Sequence, residues 1–364
     1  MTDEEALRAA VLAHPDDDTP RLVYADWCDD AGHADRAAFV RAQIDAARAE
    51  PWGAADREAT RRANALLAVY AEEWTAHVSE AVEWHGFERG FIEQVGLYAH
   101  RFARGLDEAC RVEPVRRAQV IRGLAQVNDA PLEEYLTSPH LSQLHALDLH
   151  EASLTASVEF EFVTENEELA GLADLSFAGL RVPPDWLTRF LAGPHLPALA
   201  ALDLSNIPNL GPALARGLTG GGHRRFTKLN LTGVRLLSND LKCVLSSHAL
   251  GGVEELRLGW PFPGPGPVTM LELGWVMPWA RLRLLDLAGQ QLGPDGVKEI
   301  TREREAAGLR WLGLARNHLG SAGAEWLLES PHLNLYHLDV SDNGIPPQLL
   351  AALRARFPEA LVVG

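Results

Sequence analysis

Three stretches between Leu282 and Ile345 share one form: LRLLDLAGQQLGPDG, LRWLGLARNHLGSAG and LYHLDVSDNGI. Leu282, Leu285, Leu287 and Leu292 are answered by Leu309, Leu312, Leu314 and Leu319, and again by Leu335, Leu338, Val340 and Ile345. The alternating pair inside each copy (Leu285 and Leu287, Leu312 and Leu314, Leu338 and Val340) has the period of a short strand with one buried face. The turn and apolar-periodic segment that follow, as in GPDGVKEITREREAAG and GSAGAEWLLES, read as a turn and a helix. A single copy cannot bury its own apolar face, so copies must stack, and that requirement limits the chain to a small set of repeat architectures.

Earlier copies start at Val115, Leu144, Leu172, Leu199, Phe226 and Val253, giving steps of 29, 28, 27, 27, 27, 29, 27 and 26 residues through to Leu335. Helices are expected between the strands at Pro131 to Ser138, Pro184 to Leu191, Pro212 to Leu218, Asn239 to His248, Pro294 to Ala307, Ser321 to Glu329 and Pro347 to Phe357. The copy at 144 carries VEFEFVTENEE, which reads as an extended or looped acidic segment. The copy at 253 carries WPFPGPGP, whose prolines forbid a regular helix at its start. Leu361-Val362-Val363 reads as a last short strand. The L-x-x-L-x-L copies resemble leucine-rich repeats of the ribonuclease-inhibitor-like subclass. The resemblance implies an α/β solenoid of eight or nine copies, a curved horseshoe with parallel strands on its concave side and helices on its convex side.

Residues 1 to about 50 read as helical and acidic. Thr2 with Glu5 forms a capping-box pattern for a helix carrying Leu7, Val11 and Leu12. HPDDD breaks it, and Thr19 followed by Pro20 is a second start signal, with proline at the first helical position. Val23 and Trp27 then share a face, Gly32 ends the helix, and Phe39, Val40 and Ile44 form the apolar stripe of a third. From residue 52 to about 85 helix continues, with Leu66, Leu67, Val69, Tyr70 and Trp74 apolar. The run DDDTPRLVYADWCDDAGHADRAAFVRAQ, with its core from Pro20 to Trp27, resembles the repeat-companion domain of planctomycete bacteria, a module found ahead of repeat regions. The resemblance covers roughly residues 1 to 48 and implies architecture alone, since no activity comes with it. Cys28 stands where that family usually has leucine. A boundary near Gly86 to Gly90 divides an N-terminal α-helical domain and cap (1–88) from the repeats (89–364).

The chain of 364 residues carries 33 basic and 50 acidic side chains, a net charge of −17. That argues against nucleic acid, whose affinity rests on lysine and arginine neutralising phosphates, and against an anionic membrane surface. A protein partner with a basic face is the electrostatic expectation. Three widely spaced cysteines, Cys28, Cys110 and Cys243, suit a reducing interior. The start MTDEEALRAA has neither a basic nor an apolar signal region, and no apolar run reaches membrane-spanning length. A soluble protein of a bacterial cytoplasm is expected.

In a parallel stack, the residues flanking the buried leucines point to the concave face. Their central column is Asp148, Ser176, Asp203, Asn230, Arg257, Asp286, Gly313 and Asp339, mostly small and acidic, able to accept hydrogen bonds from a basic partner. Candidate partner-binding residues are Asp148, His150, Asp203, Asn230, Arg257, Trp260, Asp286, Trp311, His337 and Asp339. Exposed tryptophan and arginine dominate interface energetics, so Trp311 with Arg257 and Trp260 are the candidate hot spots. No phosphate loop, nucleophile elbow, dinucleotide fingerprint or HExxH pattern occurs, so no catalytic residue and no cofactor are expected. Asp26, Asp29, Asp30 and His33 share a helical face, yet match no strong metal signature, and Gly32 interrupts them; no metal is expected. Cys243, beside Val244, is expected in the core. The expected function is a non-catalytic protein-binding scaffold. The alternative is regulation of a partner enzyme in the manner of ribonuclease-inhibitor-like proteins, for which Arg316 and Asn317 are available at a repeat edge.

Overall fold

The structure, a computed structural model, describes residues 2–78, 80–121, 136–152, 154, 157–220, 222, 224–262 and 277–364. It is α/β, and two compact units divide it, Met1–Ser153 and Leu154–Gly364.

The first unit opens with four helices: α1 (Asp3–Ala13), α2 (Asp18–Asp30), α3 (Ala34–Arg48) and α4 (Ala54–Thr75). Thr2 caps α1 through the reciprocal bonds of a capping box with Glu5. Helix α2 starts earlier than Thr19-Pro20 suggests, because Asp17 accepts the Thr19 N–H and serves as its cap; Pro20 then falls at the third helical position, where a missing N–H still costs nothing. Gly32, at φ +86°, follows the end of α2. Val11, Tyr24, Ala25, Cys28, Val40 and Ile44 form one core with Phe91, while Phe39 and Ala42 of α3 meet Ala63 of α4. Two of the expected stripe positions face outward instead: Val23 is half exposed and Val69 is 72% exposed.

Strands β1 (Trp84–Glu88) and β2 (Phe91–Tyr98) follow as an antiparallel hairpin, so the boundary expected at Gly86 to Gly90 falls inside a single supersecondary element. Helix α5 (Phe102–Cys110), β3 (Arg117–Ile121) and β4 (Ala146–Asp148) complete the unit, with β2, β3 and β4 paired parallel. Parallel pairing therefore begins at β2, one strand ahead of the copy recognised at Val115. Of the helix expected at Pro131 to Ser138, residues 131–135 lie outside the described residues.

Two buried ion pairs brace this unit. Arg21, fully buried, meets Glu93 at 2.8 Å and donates to the carbonyl of Pro15 at 2.7 Å. Glu113, 2% exposed, takes Arg8 and His77 on one oxygen and the Ile92 N–H, at 2.9 Å, on the other. Burial works against its charge, but the His77 and Ile92 hydrogen bonds and the nearby Arg8 prevail and hold the carboxyl below its ordinary range.

The second unit repeats one motif. Helices α6 (Ser157–Glu165), α7 (Pro184–Ala192), α8 (Gly211–Thr219), α9 (Ser238–Leu245), α10 (Gly293–Arg302), α11 (Gly320–Glu329) and α12 (Pro347–Arg356) alternate with strands β5 (Asp174–Ser176), β6 (Ala201–Asp203), β7 (Lys228–Asn230), β8 (Glu255–Arg257), β9 (Leu284–Asp286), β10 (Trp311–Gly313), β11 (His337–Asp339) and β12 (Leu361–Val363). Between β8 and β9, residues 263–276 lie outside the described residues, and with them most of WPFPGPGP. Each strand pairs parallel with the next in chain order. Their middle residues, Leu175, Leu202, Leu229, Leu256, Leu285, Leu312, Leu338 and Val362, stand in register, none more than 8% exposed. The segment at VEFEFVTENEE is not extended: Ser157–Glu165 is helical, with Phe160 and Val163 buried at helical spacing and Phe160 packed against Phe177 and Trp186.

One backbone position recurs in left-handed conformation: Gly179, Asn206, Gly233, Gly289, Arg316 and Asp342 all have φ between 55° and 78°. The next residue points inward. In the earlier copies it is aliphatic (Leu180, Ile207, Val234), and in the last three it is an amide (Gln290, Asn317, Asn343), all at most 7% exposed. Asn317 donates to the carbonyls of Leu287 at 2.8 Å and Leu314 at 3.0 Å and accepts the Leu292 N–H at 3.1 Å; Asn343 accepts the Asn317 N–H at 2.7 Å. These amides satisfy turn groups that neither helix nor strand can reach.

Two substitutions probe these supports. Asn317→Ala leaves buried carbonyls and an N–H unpaired and should lower unfolding free energy by about 2–3 kcal/mol, read from urea denaturation. Glu113→Gln should cost a similar amount, about 2–3 kcal/mol, at neutral pH. Because the folded carboxyl titrates below its unfolded value, the Glu113 contribution is present at neutral pH and disappears as pH falls through that folded value. Denaturation midpoints of wild type and Glu113→Gln should therefore converge in acid.

Candidate binding face

Three-residue strands paired in register place the equivalent side chains of successive copies into rows. In the second unit, one row beside the leucine spine runs Asp174, Ala201, Lys228, Glu255, Leu284, Trp311, His337 and Leu361; the other runs Ser176, Asp203, Asn230, Arg257, Asp286, Gly313, Asp339 and Val363. The structure thus brings Asp203, Asn230, Arg257, Asp286, Trp311, His337 and Asp339 onto one strand face of this unit. Asp148 and His150 belong to the first unit, where Asp148 is in register with Gln119 of β3.

The acidic column has a structural job first. Asp203 Oδ1 accepts the Ser205 N–H at 2.7 Å, Asn230 Oδ1 that of Thr232 at 3.1 Å, Asp286 Oδ1 that of Ala288 at 3.0 Å and Asp339 Oδ1 that of Ser341 at 2.9 Å. In the first unit Asp148 Oδ1 accepts the His150 N–H at 3.0 Å, and Oδ2 stands 3.1 Å from the imidazole Nδ1. Each carboxylate closes the turn that leaves its own strand. The amide of Asn230 also donates to Asp203 Oδ2 at 2.8 Å, and Lys228 pairs with Glu255 at 2.7 Å. These groups border a cavity of about 150 Å³ together with Arg257 and Asp174.

Three side chains make a platform next to this polar stretch. The Trp311 ring lies parallel to the His337 imidazole, 5° between planes and 4.9 Å between centroids. The Arg257 guanidinium stands 5.5 Å from the Trp311 ring centroid. Gly313 makes that pose possible: a Cβ there would lie 2.6 Å from the Trp311 ring. Trp311 is thus a partly buried, braced ring, which lowers the entropy it would lose on binding. Trp260 sits after β8, edge-on to Phe262 at 5.0 Å, and its carbonyl is 3.5 Å from an Arg316 nitrogen; it does not join the Trp311 stack.

Asp286 lies between unlike influences. Burial raises its carboxyl above the ordinary value; its hydrogen bond to the Ala288 N–H and the charge of Arg257 act against this, and Asp339 adds to it.

Other candidates take plain places. Arg41 holds Asp26 at 2.6 Å and Asp29 at 2.7 Å, so those carboxylates are ion-paired, and no cluster able to hold a metal occurs among the described residues. Cys243 is exposed, against the expectation of core, because Leu241, Val244 and Leu245 take the inner face of α9; Cys28 and Cys110 are buried. Asn317 is fully buried in its turn. No described helix is long and apolar enough to cross a membrane. The residue that sequence reasoning missed is Arg36, which lines a cavity of about 490 Å³ in the first unit. Its signal was an arginine in phase with the apolar stripe of Phe39, Val40 and Ile44.

Asp286→Asn should raise the melting temperature at neutral pH, since Asn230 shows that an amide fits this turn. The sign follows from linkage: a carboxyl whose folded pKa is raised destabilises the fold while ionised and stops doing so once pH falls through that value. Melting curves across pH should show the advantage of the variant shrinking in acid. Protein-family models include none that matches the chain, and no curated protein matches it.

Proposed function

We propose that the chain is a non-catalytic, leucine-rich-repeat-type scaffold that binds a protein partner through the strand face of its second unit. On this reading the repeats form a curved horseshoe, the strand rows line its concave side, and residues 1–48 serve as a repeat-companion module in a bacterial cytoplasm. The observation that carries the proposal is the braced platform of Trp311, His337 and Arg257 beside the acidic residues Asp286 and Asp339. A rigid aromatic ring with an arginine is the usual composition of an interface hot spot, and the flanking carboxylates suit a partner with a basic surface. A net charge of −17 supports the same electrostatic sense.

A second reading, regulation of a partner enzyme, draws on Arg316. It occupies the left-handed position that other copies give to glycine, asparagine or aspartate, at φ 55°, and such a placement costs an ordinary side chain on the order of 1 kcal/mol. An arginine kept at a strained repeat edge would be presented to a partner's active site.

Quantitative affinity purification with wild type and with Trp311→Ala, Arg257→Ala and Gly313→Ala tests the first reading. Each variant should lose the same partner, with affinity reduced about thirtyfold or more for Trp311→Ala, equivalent to about 2 kcal/mol. Gly313→Ala keeps the tryptophan and only displaces its ring. Identical partner sets for all four proteins would exclude this face as the binding surface.

A further inference from the structure

The first unit contains a buried cation with no counter-ion. Arg36, 8% exposed, donates through Nη2 to the Gly90 carbonyl at 2.6 Å, while its Nη1 is buried without a hydrogen-bond partner. Ring faces surround the guanidinium, Trp74 at 4.9 Å and Phe39 at 5.5 Å, and no carboxylate lies within ion-pair distance among the described residues. Arg21, equally buried in the same unit, has Glu93, and Glu113 is committed to Arg8 and His77. A buried charge is tolerated when paired and is costly when alone. Cation–π contact offsets part of that cost, but it leaves the Nη1 donor unused.

Arg36 lines a solvent-open cavity of about 490 Å³ among helices α1 to α4, within the size range of small-molecule sites. Its other walls divide by chemistry. Trp27, Tyr70 and Trp74 supply flat apolar surface, Arg8, His33 and His77 add basic groups, and Asp35 with the solvent-exposed Glu4 and Glu73 supplies negative charge. A ligand entering here passes carboxylates and ends beside an unpaired guanidinium. A dianion is repelled at the rim, and a plain cation meets Arg36 inside. A molecule with a positive group and a carboxylate matches both kinds of wall.

We propose that this cavity binds a small zwitterion with a flat apolar body, the chemistry of a free aromatic amino acid. Its carboxylate pairs with Arg36, its ammonium group faces Glu4 and Glu73, and its ring lies among Trp27, Tyr70 and Trp74. The site is independent of the strand face of the second unit, so neither proposal stands on the other.

Isothermal titration of the full chain with phenylalanine, phenylacetate and phenethylamine tests this, with melting temperature as a second readout. Phenylalanine should bind and raise the melting temperature, and phenethylamine, lacking the carboxylate, should bind at least about tenfold more weakly, the loss expected for one charge-assisted hydrogen bond. Arg36→Met should weaken phenylalanine by about tenfold or more on the same ground. Should that variant fail to fold, the surface pair Glu4→Gln with Glu73→Gln decides: it should weaken phenylalanine and strengthen phenylacetate. Equal binding of phenethylamine and phenylalanine, unchanged affinity in a folded Arg36→Met, an unchanged preference between phenylalanine and phenylacetate in the glutamine pair, or no binding of any of the three at millimolar concentration would each overturn the proposal.

Discussion

The second unit depends on a single row of aliphatic side chains. Strands of three residues are too short to be stable alone, and each contributes few ladder hydrogen bonds. What fixes them is the burial of Leu175, Leu202, Leu229, Leu256, Leu285, Leu312 and Leu338, one per copy and each nearly free of solvent, at roughly 1.5–3 kcal/mol per side chain. A strand with a period of two cannot slip by one residue without sending its leucine outward. The register of every flanking side chain follows from that, including the two rows that form the candidate face.

Turn chemistry enforces the same register from the other side. After the strand, a side-chain oxygen at Asp203, Asn230, Asp286 or Asp339 takes the N–H two residues on. The chain then passes through its left-handed residue, and a buried aliphatic or amide side chain follows. Where that residue is Gln290, Asn317 or Asn343, polar pairing replaces apolar burial. The carboxylates therefore serve the fold and the surface at once: Oδ1 of Asp286 and Asp339 is spent on the turn, and the remaining charge gives the platform its sign.

The first unit solves a different problem. Its helices α1 to α3 cover Phe91 on the leading strand of a parallel run, and three arginines stand on faces otherwise apolar. Arg21 and Arg8 carry their own carboxylates, and Arg36 donates to a backbone carbonyl among aromatic faces, with no carboxylate at ion-pair distance among the described residues. Unequal compensation of similar buried charges within one helical bundle distinguishes a bracing residue from one placed for a ligand.

Strand positions and the leucine spine of the second unit were legible in the linear chain, because a spacing of 26 to 29 residues and an alternation of two report directly on what must be buried. Helix starts at Thr2, Pro184 and Pro347 were legible for the same local reason. Partner choice was not. Asp17 rather than Thr19 caps α2, Phe160 and Val163 draw an acidic stretch into a helix, and Cys243 turns outward while Leu241 turns in. The first is settled by which side chain reaches the Thr19 N–H, the other two by which neighbour offers apolar surface. The stacking of Trp311 on His337 needed two residues 26 positions apart to share a row, and room for the ring came from Gly313. The solitary state of Arg36 could be known only by finding that Glu93 and Glu113 already pair elsewhere and that no carboxylate comes within ion-pair distance among the described residues, a property of the packed interior and not of any one residue.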